Sequence, residues 1–259
     1  MSAVSHRPLI TVAPNGARRS KAEHPRLPLS IDEIAAEAAA CQIAVADAIH
    51  LHVRDLEGRH TLDSGLYREA INAIEAAAPN LAIQVTTEAA GQFSPADQLR
   101  CLHELRPADA SVSIREVTQD IDTASRLYRF AAEADISIQH ILYDDVDVGR
   151  LEIAFASGLA PREMRRALLV LGSYSPPRNG APSDLRTRLF TIAQLDLDWS
   201  VCAFGAQEQA CLIEAMRLGG DVRVGFENNL HRPDGALAET NAEQVAALAA
   251  LRTEMKDAA

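Results

Sequence analysis

Short apolar runs alternate with longer segments of helical periodicity along the whole chain. The apolar runs are rich in β-branched and aliphatic residues, which predicts eight strands, at 9–13, 48–53, 81–86, 110–114, 137–143, 167–172, 199–204 and 222–227. The intervening segments carry helix-start signals, namely a Ser30–Glu33 capping box, Asp63 as an N-cap, Pro95 in a first turn, and Thr240 with Glu243. Strands that alternate with helices in this way indicate βαβ units and a parallel sheet.

Eight such units within 259 residues favour a single (β/α)₈ TIM barrel over residues 1–259. The main competing architecture is an open doubly wound sheet that binds a dinucleotide. No GxGxxG motif follows the first predicted strand, which weakens that alternative.

The charge and the cysteine content of the chain bear on its partners and on its cellular compartment. The formal net charge is −11 and no block of Lys or Arg stands out, which argues against nucleic acid or an anionic membrane as the main partner. The N-terminal segment has no long apolar run, so neither a signal peptide nor a membrane span is expected. The four cysteines are scattered without a CxxC pair, which is typical of reduced packing residues in a cytoplasmic protein.

The first candidate functional residues lie in the segment AIHLHVRD, residues 48–55. This segment places His50 and His52 two positions apart on the second predicted strand. Such residues face the same side of a strand. Strands 8, 1 and 2 are neighbours in a closed barrel, so Glu227, at the end of predicted strand 8, can approach both imidazoles. Two His and one carboxylate with an open fourth position form the ligand set of a catalytic zinc site. Paired strand histidines also occur as structural or surface residues, and the pattern alone leaves both interpretations open.

Arg223 lies four residues before Glu227 in the same predicted strand and should share its face. A guanidinium inside the barrel would need a carboxylate partner or an anionic ligand, and a purely structural ion pair is the alternative. Of the other histidines, His6, His24, His60, His103 and His231 are expected in solvent, whereas the pattern does not decide between a core and a pocket position for His140.

Four segments occur in the order and spacing of a known family: ITVAPNGA, HLHVRDLEGR, IQVTTEAAG and GGDVRVGFENNL. Over nearly its whole length the chain resembles the β-keto acid cleavage enzymes. The resemblance implies a barrel with one Zn²⁺ per subunit that condenses a β-keto acid with acetyl-CoA to give acetoacetate and a new acyl-CoA. It implies His50, His52 and Glu227 as zinc ligands, Arg223 as the arginine of the catalytic relay, and Thr86 near the substrate. It also implies a homodimer or homotetramer, for which the sequence supplies no independent interface.

Several residues that are expected to surround the substrate differ from the family pattern. The family usually reads GFEDN where this chain reads GFENN, so Asn228 replaces a carboxylate and is expected to orient Arg223 by hydrogen bonds without neutralising it. Arg18, Glu88, Ser113, Arg115 and Glu116 also differ and are expected on the catalytic face, where Arg18, Glu88, Ser113 and Glu116 are expected to bind substrate. Their charges either pair with one another, Arg18 with Glu116 or Glu88, or match a β-keto acid whose far end is polar or charged. Because the relay is altered, two other functions stay open: a metal-dependent hydrolase or lyase of a small carbonyl compound, and a binding protein that has lost catalysis.

Overall fold

The computed structural model describes residues 7–174 and 176–257, which form alternating strands and helices. The strands are β1 Ile10–Val12, β2 Ala48–Leu51, β3 Val53–Arg54, β4 His60–Thr61, β5 Ala82–Thr86, β6 Asp109–Ser113, β7 Ser137–Leu142, β8 Arg166–Ser173, β9 Arg178–Asn179, β10 Asp198–Ala203 and β11 Asp221–Val224. The helices are α1 Ile31–Ile43, α2 Ser64–Ala77, α3 Pro95–Leu105, α4 Ile114–Val117, α5 Ile121–Glu133, α6 Asp145–Ala156, α7 Pro182–Ile192, α8 Glu208–Arg217 and α9 Asn241–Asp257.

Eight of the strands close into a parallel barrel. Each of β1, β2, β5, β6, β7, β8, β10 and β11 pairs with its neighbours in that order, and β11 pairs with β1 to complete the ring. The short strands β3 with β4, and β9 against β8, are antiparallel additions. The predicted (β/α)₈ TIM barrel is confirmed.

Successive residues of each barrel strand point alternately toward the surrounding helices and toward the barrel interior. Ile49, Leu51, Val222 and Val224 belong to the large core between the sheet and the helices. His50 and Arg223, which alternate with them, therefore face the interior. On or just after β7, β8 and β10, nearer their carboxyl ends, a separate apolar cluster forms from Ile141, Leu168, Val170, Cys202 and Phe204.

Local capping follows the sequence signals. Ser30 forms the predicted capping box with Glu33, and the Asp63 carboxylate accepts from the Leu66 amide at 2.8 Å. Thr240 accepts from the Glu243 amide at 3.0 Å, but the Glu243 carboxylate accepts from the Glu239 amide instead of completing a box.

Most predicted strand ends differ from the observed ones by one to three residues, and the ends of predicted strands 8 and 4 matter most for the site. Predicted strand 8 continued to residue 227, but β11 ends at Val224 because Gly225, at φ +139°, turns the chain. Ile114 opens the short helix α4 instead of ending β6, so Arg115 and Glu116 lie on a helical turn. Within the described ranges, no helix has both the length and the apolar character that a membrane crossing would need.

Candidate active site

His50, His52 and Glu227 meet at the carboxyl end of the barrel, as the sequence predicts. The Nε2 atoms of His50 and His52 are 3.2 Å apart, and Oε2 of Glu227 is 3.9 Å and 3.5 Å from them, respectively. All three residues are buried. Burial, and next the Arg223 guanidinium, hold the pKa of His50 well below its usual value, and burial with His50 does the same to the pKa of His52. Both imidazoles are therefore neutral, the form that binds metals.

These three atoms could hold a divalent ion. A tetrahedral zinc ion with ligands about 2.0–2.1 Å away separates its ligand atoms by about 3.3 Å, close to the edges of this triangle. Oε2 of Glu227 is buried without a hydrogen-bond partner among the described residues, so the fold leaves this charged oxygen uncompensated on the side of the histidines. The donor set and the unpartnered oxygen both fit zinc.

Two glycines allow Glu227 to reach this position. Glu227 lies three residues beyond β11, and its amide donates to the Ala13 carbonyl at 3.1 Å. A Cβ on Gly225 would stand 2.4 Å from the same Ala13 oxygen, and one on Gly16 would stand 2.5 Å from Cγ of Glu227. The glycines of the VGFE and PNGA segments therefore admit the carboxylate between the ends of β11 and β1.

A polar layer beneath the triangle orients His50. Nδ1 of His50 lies 2.8 Å from Oε1 of Gln84, an acceptor, so Nδ1 carries the proton and Nε2 is left as a lone-pair donor. The Gln84 amide in turn donates to Asp109 and Gln139. Sequence reasoning missed Gln84, although its place on β5 opposite His50 was available from the strand order.

Arg223 is buried beside Glu227. Its Nη2 donates to Oε1 of Glu227 at 3.0 Å, while its Nε and Nη1 have no partner in the described part of the chain. The two residues form an ion pair, one of the arrangements that the sequence left open, and the free side of the guanidinium retains two donor nitrogens for an anionic ligand.

Asn228 does not make the contact expected of it. Its side chain is buried, but neither its amide nitrogen nor its oxygen has a hydrogen-bond partner in the ranges described, so the predicted hydrogen bond to Arg223 is absent. Asn228 borders a cleft of about 260 Å³ that also includes Arg19 and Tyr174. The Arg19 guanidinium donates to the backbone oxygens of Glu227 and Asn228 and so holds this loop.

Thr86 and Ser113 end neighbouring strands and are both buried. The Thr86 hydroxyl accepts from the Glu88 amide at 3.0 Å, whereas the Ser113 hydroxyl has no partner among the described residues. Ser113 thus has the free hydroxyl expected of a substrate-binding residue.

Four charged residues depart from the family pattern and form two groups, one of Arg18, Glu88 and Glu116 and the other containing Arg115. Glu88 faces the triangle, with Oε2 at 4.0 Å from Nε2 of His52 and Oε1 at 3.6 Å from Arg18. Burial raises the pKa of Glu88 to about 7, with the Glu227 and Glu116 carboxylates adding to the rise. Glu116 accepts from the Ala89 amide and the Gln98 side chain, each at 3.0 Å. Arg115 belongs to a different network, since it pairs with Asp144 and Asp147 of the α6 region.

Two tyrosines at the site were not anticipated. Tyr143, just after β7, lies within the influence of Glu88, Glu116 and Arg223, all of which act on the pKa of its phenol after the larger effect of burial. Tyr174, just after β8, has a buried hydroxyl without a partner in the described ranges. Aromatic residues at strand ends are common packing residues, so the sequence held no signal that separated these two from the core.

Two histidine expectations were wrong. His24 and His60 are buried, and each imidazole contacts a backbone oxygen. The partner of His24 is the Ala238 carbonyl and that of His60 is the Glu88 carbonyl, both at 2.8 Å. His103 and His231 are exposed, as expected, and His6 lies outside the described residues. His140 lies in the core, between the Tyr128 hydroxyl and the Met164 carbonyl.

Comparisons with known proteins agree with this architecture. The chain is 29% identical over 258 residues to the 3-keto-5-aminohexanoate cleavage enzyme of Fusobacterium nucleatum, covering 95% of this chain and 92% of that protein. It is 24% identical over 255 residues to the 3-oxoadipate:acetyl-CoA acetyltransferase of Cupriavidus necator, covering 95% and 88%. The fold matches a solved binary complex of ObcA with oxaloacetate at a TM-score of 0.68 and 16% identity, covering 87% of this chain and 63% of that longer one, just under two thirds of its length.

A match to a family model identifies the protein family. Residues 8–258 match the model of the β-keto acid cleavage enzymes, which is nearly the whole chain and includes all the residues of the site. The protein therefore belongs to the β-keto acid cleavage enzyme family.

Proposed function

We propose that this protein is a zinc-dependent acyl-exchange enzyme that condenses a β-keto acid with acetyl-CoA and releases acetoacetate and a new acyl-CoA. The observation that carries the proposal is the buried triangle of His50, His52 and Glu227, with its unpartnered carboxylate oxygen, at the catalytic face of a barrel of this family. The names of its relatives support the reaction, since one is a β-keto acid cleavage enzyme and another an acetyl-CoA acetyltransferase.

The exchange forms and breaks bonds in two steps. C2 of the β-keto acid loses a proton and forms a bond to the acetyl carbon, and the CoA thiolate leaves. The thiolate then adds to the original keto carbon, the C2–C3 bond breaks, and the proton returns to C2. Both additions build negative charge on a carbonyl oxygen, which an enzyme must stabilise.

His50, His52 and Glu227 would hold the zinc ion, which when bound supplies a Lewis acid for the keto oxygen. Arg223 keeps Glu227 in place through Nη2, and its unpartnered Nε and Nη1 would take the substrate carboxylate. Asn228 and Ser113 would add neutral hydrogen-bonding groups, because their side chains are buried without partners in the described chain. Thr86 would act through the backbone of Glu88, to which its hydroxyl is bonded.

We further propose that the enzyme works in the cytoplasm as a homodimer or homotetramer. The four cysteines are buried and free, which suits a reducing compartment.

An isotope experiment tests the reaction. The purified protein is incubated with a panel of β-keto acids and acetyl-CoA labelled with ¹³C in its acetyl group, and we expect the label at C3 and C4 of acetoacetate. Substituting both zinc-ligand histidines, in the variant His50→Ala/His52→Ala, should abolish labelled product, whereas His103→Ala, at an exposed helical position, should not. Conversion of the keto acids that proceeds equally without acetyl-CoA would replace this proposal by the hydrolase or lyase alternative, and binding without conversion would leave a binding protein.

A further inference from the structure

A chain of hydrogen bonds runs through the barrel interior, from His50 toward the end of the barrel opposite the zinc site. Its first link joins Nδ1 of His50 to Oε1 of Gln84 at 2.8 Å. The Gln84 amide nitrogen then donates along two branches, to Oδ1 of Asp109 at 3.0 Å and to Oε1 of Gln139 at 3.2 Å. Asp109 is the first residue of β6, so this branch reaches the amino-terminal end of the barrel.

The branch through Gln139 has a fixed direction. It ends at the Ala167 carbonyl, which can only accept, so the Ser200 hydroxyl donates to that oxygen at 3.2 Å. The Ser200 oxygen in turn accepts from the Gln139 amide nitrogen at 3.0 Å. Because its nitrogen is placed at Ser200, Gln139 turns its oxygen toward Gln84 and accepts from it.

The branch through Asp109 imposes the same direction. A carboxylate only accepts hydrogen bonds, and Oδ2 of Asp109 already accepts from Nη1 of Arg166 at 2.6 Å. Oδ1 therefore serves the Gln84 amide nitrogen. The Asp109 and Arg166 side chains are partly exposed, whereas Gln84 and Gln139 are buried. A charged pair at the far end of the barrel thus contacts the buried amide that supports the zinc site.

The two branches together decide which tautomer of His50 the fold favours. If the Gln84 amide were reversed, its oxygen would face two other acceptors, the Asp109 carboxylate and the Gln139 oxygen. In the observed orientation the Gln84 oxygen faces Nδ1 of His50, so Nδ1 carries the proton. Nε2 of His50, which faces the other two proposed ligands, then presents a lone pair to the metal.

We propose that Asp109 and Gln139 are positioning residues for the zinc site, which hold the Gln84 amide in the orientation that leaves Nε2 of His50 free to bind the metal. This inference rests on the proposed function and deepens it. Both residues act through Gln84 and not on the metal or the substrate. The amino-terminal face of a (β/α)₈ barrel usually contributes to stability, whereas here it also governs a ligand at the catalytic face.

The double variant Asp109→Leu/Gln139→Leu tests the inference, because it replaces both acceptors by apolar side chains of similar size. Metal-free protein labelled with ¹⁵N at histidine gives the tautomer of each neutral imidazole in long-range ¹H–¹⁵N spectra at mildly alkaline pH. The signals of His50 are those that His50→Gln lacks. We expect the Nδ1–H tautomer in the wild-type protein and a shift to Nε2–H in the double variant. Zinc affinity, measured by competition with a chelator, should fall by about 10- to 100-fold.

The matched control is Arg166→Met. It breaks the ion pair with Asp109 from the other side but leaves both acceptors of the Gln84 amide in place. We expect this variant to unfold at a lower urea concentration while it keeps the Nδ1–H tautomer and the wild-type zinc affinity. If Arg166→Met changed the tautomer and the zinc affinity as much as the double variant does, the ion pair and not the two acceptors would support the site, and the inference would be wrong.

Two further results would overturn the inference. The Nε2–H tautomer of His50 in the metal-free wild-type protein would do so without any variant, so the test does not depend on the folding of the double variant. A double variant that keeps both the Nδ1–H tautomer and the wild-type zinc affinity would also do so. Failure of the proposed function gives a different pattern, since a wild-type protein that binds no zinc but changes its His50 tautomer in the double variant still supports the positioning role.

Discussion

The two oxygens of Glu227 have different environments. Oε1 accepts from Arg223 at 3.0 Å, whereas Oε2 is directed toward the histidines with no hydrogen-bond donor among the described residues. Burial raises the pKa of this carboxyl, and Arg223 opposes the rise. Leaving a buried acceptor unpaired costs about 1–3 kcal/mol, more for a charged group, and a metal ion bound here, as we propose, would remove that cost.

Removing the ligand set should therefore remove the metal without unfolding the barrel. In His50→Ala/His52→Ala we expect less than 0.1 zinc per subunit by atomic spectroscopy, against about one in the wild-type protein, because one carboxylate alone binds zinc weakly. Far-ultraviolet circular dichroism should be unchanged, since both side chains face the interior pocket and make no contact that the helices need. The control His103→Ala should keep its zinc, and a fully loaded double variant would disprove the ligand assignment.

At the scale of single residues, the sequence predicts well those side chains whose chemistry is rare in a strand. His50, His52, Glu227 and Arg223 stand out because polar and charged groups in apolar runs need partners, and the structure brings all four together. Gln84 and Tyr143 could not be selected, because their types also occur as ordinary packing or surface residues at such positions. Arg115 was expected among the charges of the pocket wall but pairs with Asp144 and Asp147, because its direction depends on the turn of α4, which sequence spacing did not reveal.

At the scale of elements, the Arg115 network fastens α4 to α6. Arg115 donates to the fully buried Asp147 and to Asp144, and the Asp147 carboxylate also accepts from the Tyr143 amide at 2.9 Å. The network thus fixes the turn after β7 that carries Tyr143, over whose ring the Arg115 guanidinium also lies, 4.7 Å from the centroid.

Substituting Arg115→Ala should lower the free energy of unfolding by about 1–2 kcal/mol, because Asp147 loses one of its donors while Arg150 remains; partial exposure of Arg115 moderates the loss. Urea unfolding measures this change. Arg100→Ala, which breaks an exposed pair with Asp97 on α3, should cost less than about 0.5 kcal/mol. If Arg115→Ala left stability intact and raised KM for the keto acid, Arg115 would be a substrate-binding residue after all.

The core histidine of β7 makes stability depend on pH. Burial lowers the pKa of His140 to about 4, an effect that its contact with the Met164 carbonyl only partly offsets. In the unfolded chain its pKa is near 6.5, so between pH 6.5 and about 4 the unfolded state binds the extra proton and stability falls as the pH falls. Across that window the loss from this one group is at most about 3 kcal/mol.

The variant His140→Gln should flatten this dependence. Its amide can accept from Tyr128 and donate to Met164 as the imidazole does, but it does not titrate. We expect urea unfolding free energies to fall less steeply between pH 6.5 and 4 than in the wild-type protein, and His103→Gln to keep the wild-type slope. An unchanged slope in His140→Gln would mean that other buried histidines dominate the acid sensitivity.

Element order was predictable from alternation, and element ends were less so. The eight barrel strands follow from the period of their apolar residues, and Ser30 and Asp63, the N-caps of α1 and α2, follow from their cap chemistry. The end of β11 was missed because the apolar pattern continues through Phe226, whose side chain is buried in a separate cluster with Leu27 and Leu230. Periodicity cannot show that Gly225 redirects the chain between two buried environments.

At the scale of the whole molecule, the charge distribution is uneven. The chain carries a net charge of −11, yet Arg223 and Arg54 are buried at the catalytic face, where Arg54 donates to backbone oxygens of the β1–α1 loop. Bulk charge repels anions, whereas fixed guanidinium groups at the barrel mouth attract them. A substrate with a carboxylate is therefore guided by the site and not by the general surface.

Exposed apolar residues on α6 and α7 mark where the subunits of the proposed assembly would meet. Val146 and Ile153, seven residues apart on one face of α6, are 60% and 68% exposed, and Phe190 on the neighbouring helix α7 is 86% exposed. The two helices are joined by an ion pair between Asp145 and Arg188 at 2.9 Å. Large exposed apolar side chains on neighbouring helices are typical of protein interfaces, and a symmetric dimer would bury the same residues from both copies.

We therefore expect light scattering at micromolar concentration to give the mass of a dimer or tetramer, and Phe190→Glu to shift it toward 28.0 kDa, the mass of one chain. Placing a carboxylate in each copy of the contact would bring like charges together in a desolvated interface, which is strongly unfavourable. Leu56→Glu changes an equally bare apolar residue on the turn between β3 and β4 and should leave the mass unaltered. A monomeric wild-type protein would refute the assembly itself, whereas an oligomer that survives Phe190→Glu but dissociates in Leu56→Glu would move the interface from the α6–α7 face to the catalytic end of the barrel.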